Sequence, residues 1–355
     1  LRGAFPHLRP ALPPAGAARA TPRISCVVID AEEDFDWDSP VQGTEKSTFH
    51  LRNLRMLAEI LQAYGATPTY LLTYPVLQDE DAVAIIRHQL EAGLCDAGLQ
   101  LHPWVTPPFG EDVSLRASFL GNLSAEREEQ KLLCLRARFI QCFGAEPKIY
   151  RAGRYGLSRH TPGLLEKHCF TIDTSIAPRT SFEADGGPDF RDFDSRPFWF
   201  GERARLLEVP LCRDIVGWGA GGIGADLYGR MAGHGEQRSG LLSLLARSRC
   251  VERITLSPEG NDLSAMLRLL RGKLGRGDTV FPLSFHSSSL QDGTNPYVRS
   301  TADLHEFYDR LSGILAYMAD HLGFRFMALA AVPRALSEPP LSEDAPAAPA
   351  LAEPA

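Results

Sequence analysis

Six carboxylates crowd nine positions of this chain: Asp30, Glu32, Glu33, Asp34, Asp36 and Asp38 follow directly on the apolar run from Ile24 to Ile29. Such a cluster is usually a solvated loop, but this one begins inside an apolar strand, where an unpaired carboxylate is costly to bury. Its first three members therefore read as working residues. Crowding raises carboxylate pKa values, which suits one member as a general base and another as a metal ligand. His102, in Gln-Leu-His-Pro-Trp, is followed by Pro103, Pro107 and Pro108, which fix the backbone and hold the imidazole in place. His286, in Leu-Ser-Phe-His-Ser-Ser-Ser, has an apolar strand behind it and hydroxyls ahead, a setting for a general acid near neutral pH. Arg151, Arg154 and Tyr155 share the segment Tyr-Arg-Ala-Gly-Arg-Tyr-Gly, and an arginine there can pair with the acidic cluster and fix a catalytic carboxylate.

The elements that must position these groups alternate. Ile24 to Ile29 reads as a buried strand, Leu54 to Tyr64 as a helix stopped by Gly65, Thr69 to Thr73 as a strand, and Ala82 to Ala92 as a helix closed by Gly93. Gly98 to Leu101 is a third strand. Ser124 reads as the N-cap of a long helix with Glu126 and Glu128 in its first turn, followed by a strand at Lys148 to Arg151. Further strands are expected at Phe170 to Thr174, Leu206 to Leu211, Arg253 to Leu256, Val280 to Phe285 and Phe324 to Leu329. Strands alternating with helices imply a parallel sheet with crossover helices, and this many units favours a closed or nearly closed (β/α) barrel. Ala177 to Arg205 and the glycine-rich Gly217 to Gly235 read as long loops over its mouth. Asp30, His102, Arg151, Asp173 and His286 all fall at or just after strand ends, which is where a β/α barrel builds its active site.

The chain has 355 residues, 44% hydrophobic and 23% charged, which suits one large α/β unit with a sizeable core. We read residues 23–336 as that unit, flanked by disordered segments at 1–22 and in the Ala/Pro-rich tail 337–355. A net charge of −7 argues against nucleic acid, which needs a basic face. No apolar run approaches a membrane span, and Leu1 to Pro22, broken by Pro6, Pro10, Pro13 and Pro14, lacks the apolar core of a secretory signal. Seven scattered cysteines without a CxxC pair read as reduced thiols, so a cytoplasmic protein is expected. Gly217-Trp-Gly-Ala-Gly-Gly-Ile-Gly lacks the strand, turn and helix of a dinucleotide loop, so no nucleotide cofactor is expected. Ser287 to Ser289 lack a nucleophile elbow. Glu259 reads as part of the opening of a helix that begins near Asp262.

Five segments in order carry a resemblance: Val-Ile-Asp-Ala-Glu-Glu-Asp-Phe-Asp-Trp, Gln-Leu-His-Pro-Trp-Val-Thr-Pro-Pro, Tyr-Arg-Ala-Gly-Arg-Tyr-Gly, Thr-Ile-Asp-Thr-Ser and Ser-Phe-His-Ser-Ser-Ser-Leu. From Arg23 to Leu329 the chain resembles the polysaccharide deacetylases, the NodB-homology fold of carbohydrate esterase family four, and especially WalW-like members. The resemblance implies a single irregular (β/α) barrel. It implies a hydrolase of carbon–nitrogen bonds other than peptides, acting on a sugar or polysaccharide intermediate, with N-deacetylation first and O-deacetylation close behind. In its terms Asp30 or Glu32 is the base toward a metal-bound water, Glu32 or Glu33 a metal ligand with His102, Arg151 and Asp173 orienters, and His286 the acid for the leaving amine. Trp37, Trp104, Arg154 and Tyr155 would bind the carbohydrate. One departure bears on the ion. Zinc-binding relatives carry two histidines four apart, whereas Thr106 and Gly98 stand four residues after and before His102. One ligand of a candidate divalent ion such as Zn²⁺ is thus missing or supplied from elsewhere, and a metal-free hydrolase of a small amide, or a non-catalytic carbohydrate-binding descendant of the fold, are the competing expectations.

Overall fold

The computed structural model describes residues 23–35, 46–111, 114–203, 205–219, 228 and 250–337. The segments read as disordered, 1–22 and 337–355 except for Ser337, which ends the helix Val332–Ser337, lie outside the described residues together with Trp37 and most of the glycine-rich stretch.

Eight strands hydrogen-bond in one path. In chain order they are β1 (Ile24–Ala31), β2 (Pro68–Leu72), β3 (Asp96–Leu101), β4 (Ile149–Ala152), β5 (Ile172–Asp173), β6 (Phe198–Phe200), β7 (Leu206–Glu208) and, after a separate ribbon, β10 (Val280–His286). Their spatial order is β10-β1-β2-β3-β4-β5-β7-β6. The ribbon pairs β8 (Arg213–Val216) with β9 (Glu252–Thr255) antiparallel, and β11 (Arg325–Phe326) adds to the start of β1. All neighbours in the main path are parallel except β6, which runs antiparallel to β7 at the edge. The expected closed or nearly closed barrel is therefore corrected to an open one. An antiparallel edge strand offers no parallel partner to β10, and the sheet curls without sealing.

Two other expectations are corrected with it. The stretch from Ala177 to Arg205 is not all loop, since Phe198–Phe200 adds to the sheet. The strand near Arg253 belongs to the ribbon and not to the barrel.

Alternation along the strands explains both cores. Val27, Ile29 and Ala31 face outward into the larger core beneath helices α1 (Leu54–Gln62), α3 (Glu80–Glu91) and α4 (Ala125–Phe143). Ile24, Cys26 and Val28 face inward with Leu71, Ile149, Ile172, Leu207 and Val280. Leu329 and Val332 close this inner core at the end where the strands begin. Each fully buried aliphatic side chain contributes about 1.5–3 kcal/mol by leaving water, so the inner column holds the strands in register. Continuing the same alternation past Val28 brings Asp30 and Glu32 to the opposite, open end.

Helix ends follow the sequence signals. Ser124 accepts from the Arg127 N–H, Asp262 from the Ala265 N–H, and Ser300 forms a reciprocal capping box with Asp303. No described helix is long and apolar enough to cross a membrane.

Candidate active site

Parallel register lines up the chemistry. Asp30 pairs with His286 across β1 and β10, Gln100 with Arg151 across β3 and β4, and Asp173 with Glu208 across β5 and β7. Because side chains alternate, Asp30 and Glu32 share the inner face of β1, as Gln100 and His102 do at the end of β3. They converge on a cavity of about 300 Å³ at the strands' C-terminal ends.

At its floor Arg151, fully buried, donates from Nη1 to Asp30 Oδ1 and from Nε to the Thr174 carbonyl at 3.0 Å. This fixes which Asp30 oxygen faces the cavity: Oδ2 lies 3.7 Å from His286 Nε2. Glu32 Oε1 lies 3.9 Å from the same nitrogen and has no hydrogen-bond partner. His286 is aimed from behind. Glu259 accepts from the His286 ring Nδ1–H at 2.8 Å and from its backbone N–H at 2.9 Å, and Ser289 donates to the same carboxylate. Burial works against the charged imidazole, yet the carboxylates of Glu259, Glu32 and Asp30 outweigh it and push the His286 pKa up to about 10. Burial also pushes Glu32 up to about 8, against the lowering pull of His286 and His102. Burial thus favours the neutral acid of Glu32, while the carboxylates around His286 favour its imidazolium.

His102 is set the same way. Its Nδ1 faces Glu33 Oε1 at 3.2 Å, and Thr73 donates to the other Glu33 oxygen at 2.8 Å. Glu33 therefore stands behind the ring and does not line the cavity. Trp104 stacks on His102 with centroids 4.3 Å apart. Lys131, buried in α4, donates to the carbonyls of Pro103, Thr106 and Pro108 and so braces the loop that follows. Gly153 packs against the ring, where an added Cβ would meet His102 Cδ2 at 2.3 Å. Arg154 and Tyr155 follow with left-handed φ of 52° and 57°, and both side chains line the cavity.

Asp173 ends elsewhere. It lies outside the cavity lining, buried against Glu208 and accepting from Ser175. Burial pushes Asp173 up to about 6, and burial together with the neighbouring Asp173 charge pushes Glu208 well above the carboxylate range.

His102 Nε2 stands 3.5 Å from Glu32 Oε2, but the Gln100 amide donates to both, at 3.1 and 3.0 Å. That NH₂ engages the His102 Nε2 lone pair and one oxygen of Glu32. Among the described residues no group of three His, Cys, Asp or Glu side chains converges as a metal site. A protein zinc site draws on at least three ligands. His102 and Glu32, the pair that the Gln100 amide bridges, fall short of that number.

Sequence reasoning missed Glu259 and Gln100. Glu259 was read with the helix after it, although its place between a strand and that helix's Asp262 cap was a usable signal. Gln100 sits one alternation before His102, the position from which a side chain reaches the same face.

No family model and no curated protein matches the chain. Solved structures do. A candidate polysaccharide deacetylase from Mycobacterium smegmatis matches with TM-score 0.51 at 16% identity, over 98% of this chain and 99% of its own. A candidate glycoside hydrolase/deacetylase from Parabacteroides distasonis gives 0.55 at 11% identity over 89% and 71%. The PuuE allantoinase gives 0.50 at 12% identity over 92% and 94%. At these identities the likeness is one of fold, the irregular, open β/α barrel of the deacetylase type.

Proposed function

We propose that this chain hydrolyses the N-acyl group of a small carbohydrate, with O-deacylation as the nearest variant, using its own carboxylates and histidine to activate water. The observation that carries the reading is the convergence of Asp30 Oδ2 and Glu32 Oε1 on His286 Nε2 at 3.7 and 3.9 Å in the cavity floor. A water between them meets a base, Asp30, whose other oxygen is held by Arg151. As the water attacks the amide carbon, its proton passes to Asp30. The oxyanion is met by the neutral acid of Glu32, a donor kept protonated by burial. His286, aimed by Glu259, then gives its Nε2 proton to the leaving amine. Acyl–nitrogen cleavage leaves a carboxylic acid and an amine.

A cavity of about 300 Å³ is at the lower end for ligand sites, which favours a small precursor over a polymer. Trp104, Arg154 and Tyr155 on its wall would contact the sugar. The reading needs no metal, and the Gln100 amide already engages His102 Nε2 and one Glu32 oxygen. A purely binding descendant of the fold would not need an acid, a base and an aiming residue at one point.

Release of acetate from N-acetylated amino sugars by wild type, Asp30→Asn and His286→Ala tests the proposal. Each variant is expected to lose at least about 100-fold in kcat, in line with general acid and base contributions. Turnover unchanged by both substitutions sinks it.

A further inference from the structure

The cavity carries more positive charge than the reaction uses. Arg151 is committed to Asp30, and Arg154 reaches Asp185 at 3.4 Å and Ser118 at 2.7 Å. Arg213 is different. It lies on β8 of the two-stranded ribbon, outside the barrel, and lines the same cavity. Its Nε donates to Thr255 Oγ1 and its Nη1 to Thr180 Oγ1, each at 2.8 Å, and Ser195 bonds its backbone N–H at 3.0 Å. The guanidinium is thus held rigidly by two neutral hydroxyls. Among the described residues no carboxylate lies within salt-bridge distance of it.

A guanidinium has five N–H donors, of which these hydroxyls take two. The remaining three include the Nη2 pair. Across the ribbon Thr255 stands opposite Arg213 and Arg253 opposite Ile215, so both arginines share one ribbon face, and both line the cavity. Arg253 donates to the Arg179 carbonyl at 3.2 Å. The Tyr155 hydroxyl is close enough to feel both Asp30 and Arg213, so the ribbon arginine and the reaction floor belong to one chamber. Thr180, Ser181 and Tyr297 add hydroxyls to the wall beside it.

We propose that Arg213 is a specificity residue that binds an oxyanionic group, carboxylate or phosphate, on the substrate, so that the chain acts on anionic N-acyl sugars in preference to neutral ones. A planar fork fixed by its Nε side matches two oxygens of such a group. A neutral hydroxymethyl in its place would leave half-buried donors short of a partner. The proposal rests on the hydrolytic reading for the sugar and on the ribbon geometry for the charge.

The test is calorimetric binding of three probes that differ at one position: N-acetylglucosamine, its 6-phosphate and the corresponding 6-carboxylate. Wild type is expected to bind at least one of the anions about tenfold or more tighter than the neutral sugar, as a charge-assisted bond implies. Which anion leads distinguishes phosphate from carboxylate. Arg213→Gln should remove that advantage while leaving neutral-sugar affinity within about twofold. Arg213→Lys, which keeps the charge but loses the fork, should retain only part of it. Equal affinity for all three probes, no binding of any of them, or a preference that survives Arg213→Gln overturns the proposal. Acetate release is followed in parallel. Anion-selective binding without release leaves Arg213's role standing and removes the hydrolytic reading instead.

Discussion

Glu259→Gln is the perturbation that separates an aimed histidine from one that merely lies in the cavity. Glu259 accepts from the Nδ1–H and the backbone N–H of His286, and it heads the carboxylates that raise the imidazole to about 10. The amide is isosteric, so the pocket keeps its shape. It can still accept from one N–H, but its NH₂ then faces Nδ1 and favours the neutral ring with the proton on Nε2. Loss of this charged hydrogen bond is expected to cost about 1.5–3 kcal/mol of imidazolium stabilisation. The sign follows from the raised folded pKa. That stability is fully present below the unfolded value near 6.5 and is lost as pH rises through about 10. The variant should therefore be less stable than wild type by about that amount at pH 6, and the gap should close toward pH 10. Denaturant unfolding across this range measures it, and nuclear magnetic resonance titration of the His286 ring should show its pKa lowered by one unit or more. A ring pKa unchanged in Glu259→Gln would refute the argument, because Glu259 leads the carboxylates that raise it.

Other outcomes follow from the same geometry. Lys131→Met strands three carbonyls and Glu111, so a loss of about 3–5 kcal/mol is expected in urea unfolding, and a loss under 1 would show that the loop after His102 is braced by something else. Gly153→Ala drives a methyl into His102 Cδ2 and the Leu101 carbonyl, and should cost about 1–3 kcal/mol with a fall in kcat, whereas full activity would mean the ring is free to move. The Asp173 and Glu208 pair favours its protonated forms in the fold. Wild-type stability should fall as pH rises from about 4 through 6 and further beyond, and Glu208→Gln should flatten the decline above pH 6; identical slopes in the two proteins would count against the pair. Gln100→His replaces the bridging amide with a second imidazole beside His102 and Glu32, so it should gain a Zn²⁺-dependent rise in melting temperature that wild type lacks.

The strands that carry the site were legible because each is an apolar run ending in a polar residue, and in a parallel sheet those ends share one side. Asp30, His102, Arg151 and His286 could be gathered that way without coordinates. The ribbon was not legible. Arg213–Val216 is four residues long, and its partner lies beyond the glycine-rich stretch, so no local pattern links them. The opening of the barrel turns on the antiparallel Phe198–Phe200, three residues whose direction is set by tertiary pairing and not by propensity. Glu33 and Asp173 show the limit at the level of side chains. Each stands in a motif, but one residue of alternation or one neighbour such as Glu208 decides whether a carboxylate meets the cavity or backs another group.

The central claim, hydrolysis of an N-acyl sugar by the chain's own carboxylates and histidine, is tested most directly by stoichiometry in the absence of metal. Protein stripped with chelator is incubated with an N-acetylated amino sugar or its 6-anionic form, and acetate and free amine are counted together. Equimolar release that survives the chelator and is not raised by Zn²⁺, Co²⁺ or Mn²⁺ is the predicted result. Release that appears only on adding one of those ions would contradict the metal-free mechanism, and no release under any condition would contradict the hydrolytic assignment itself.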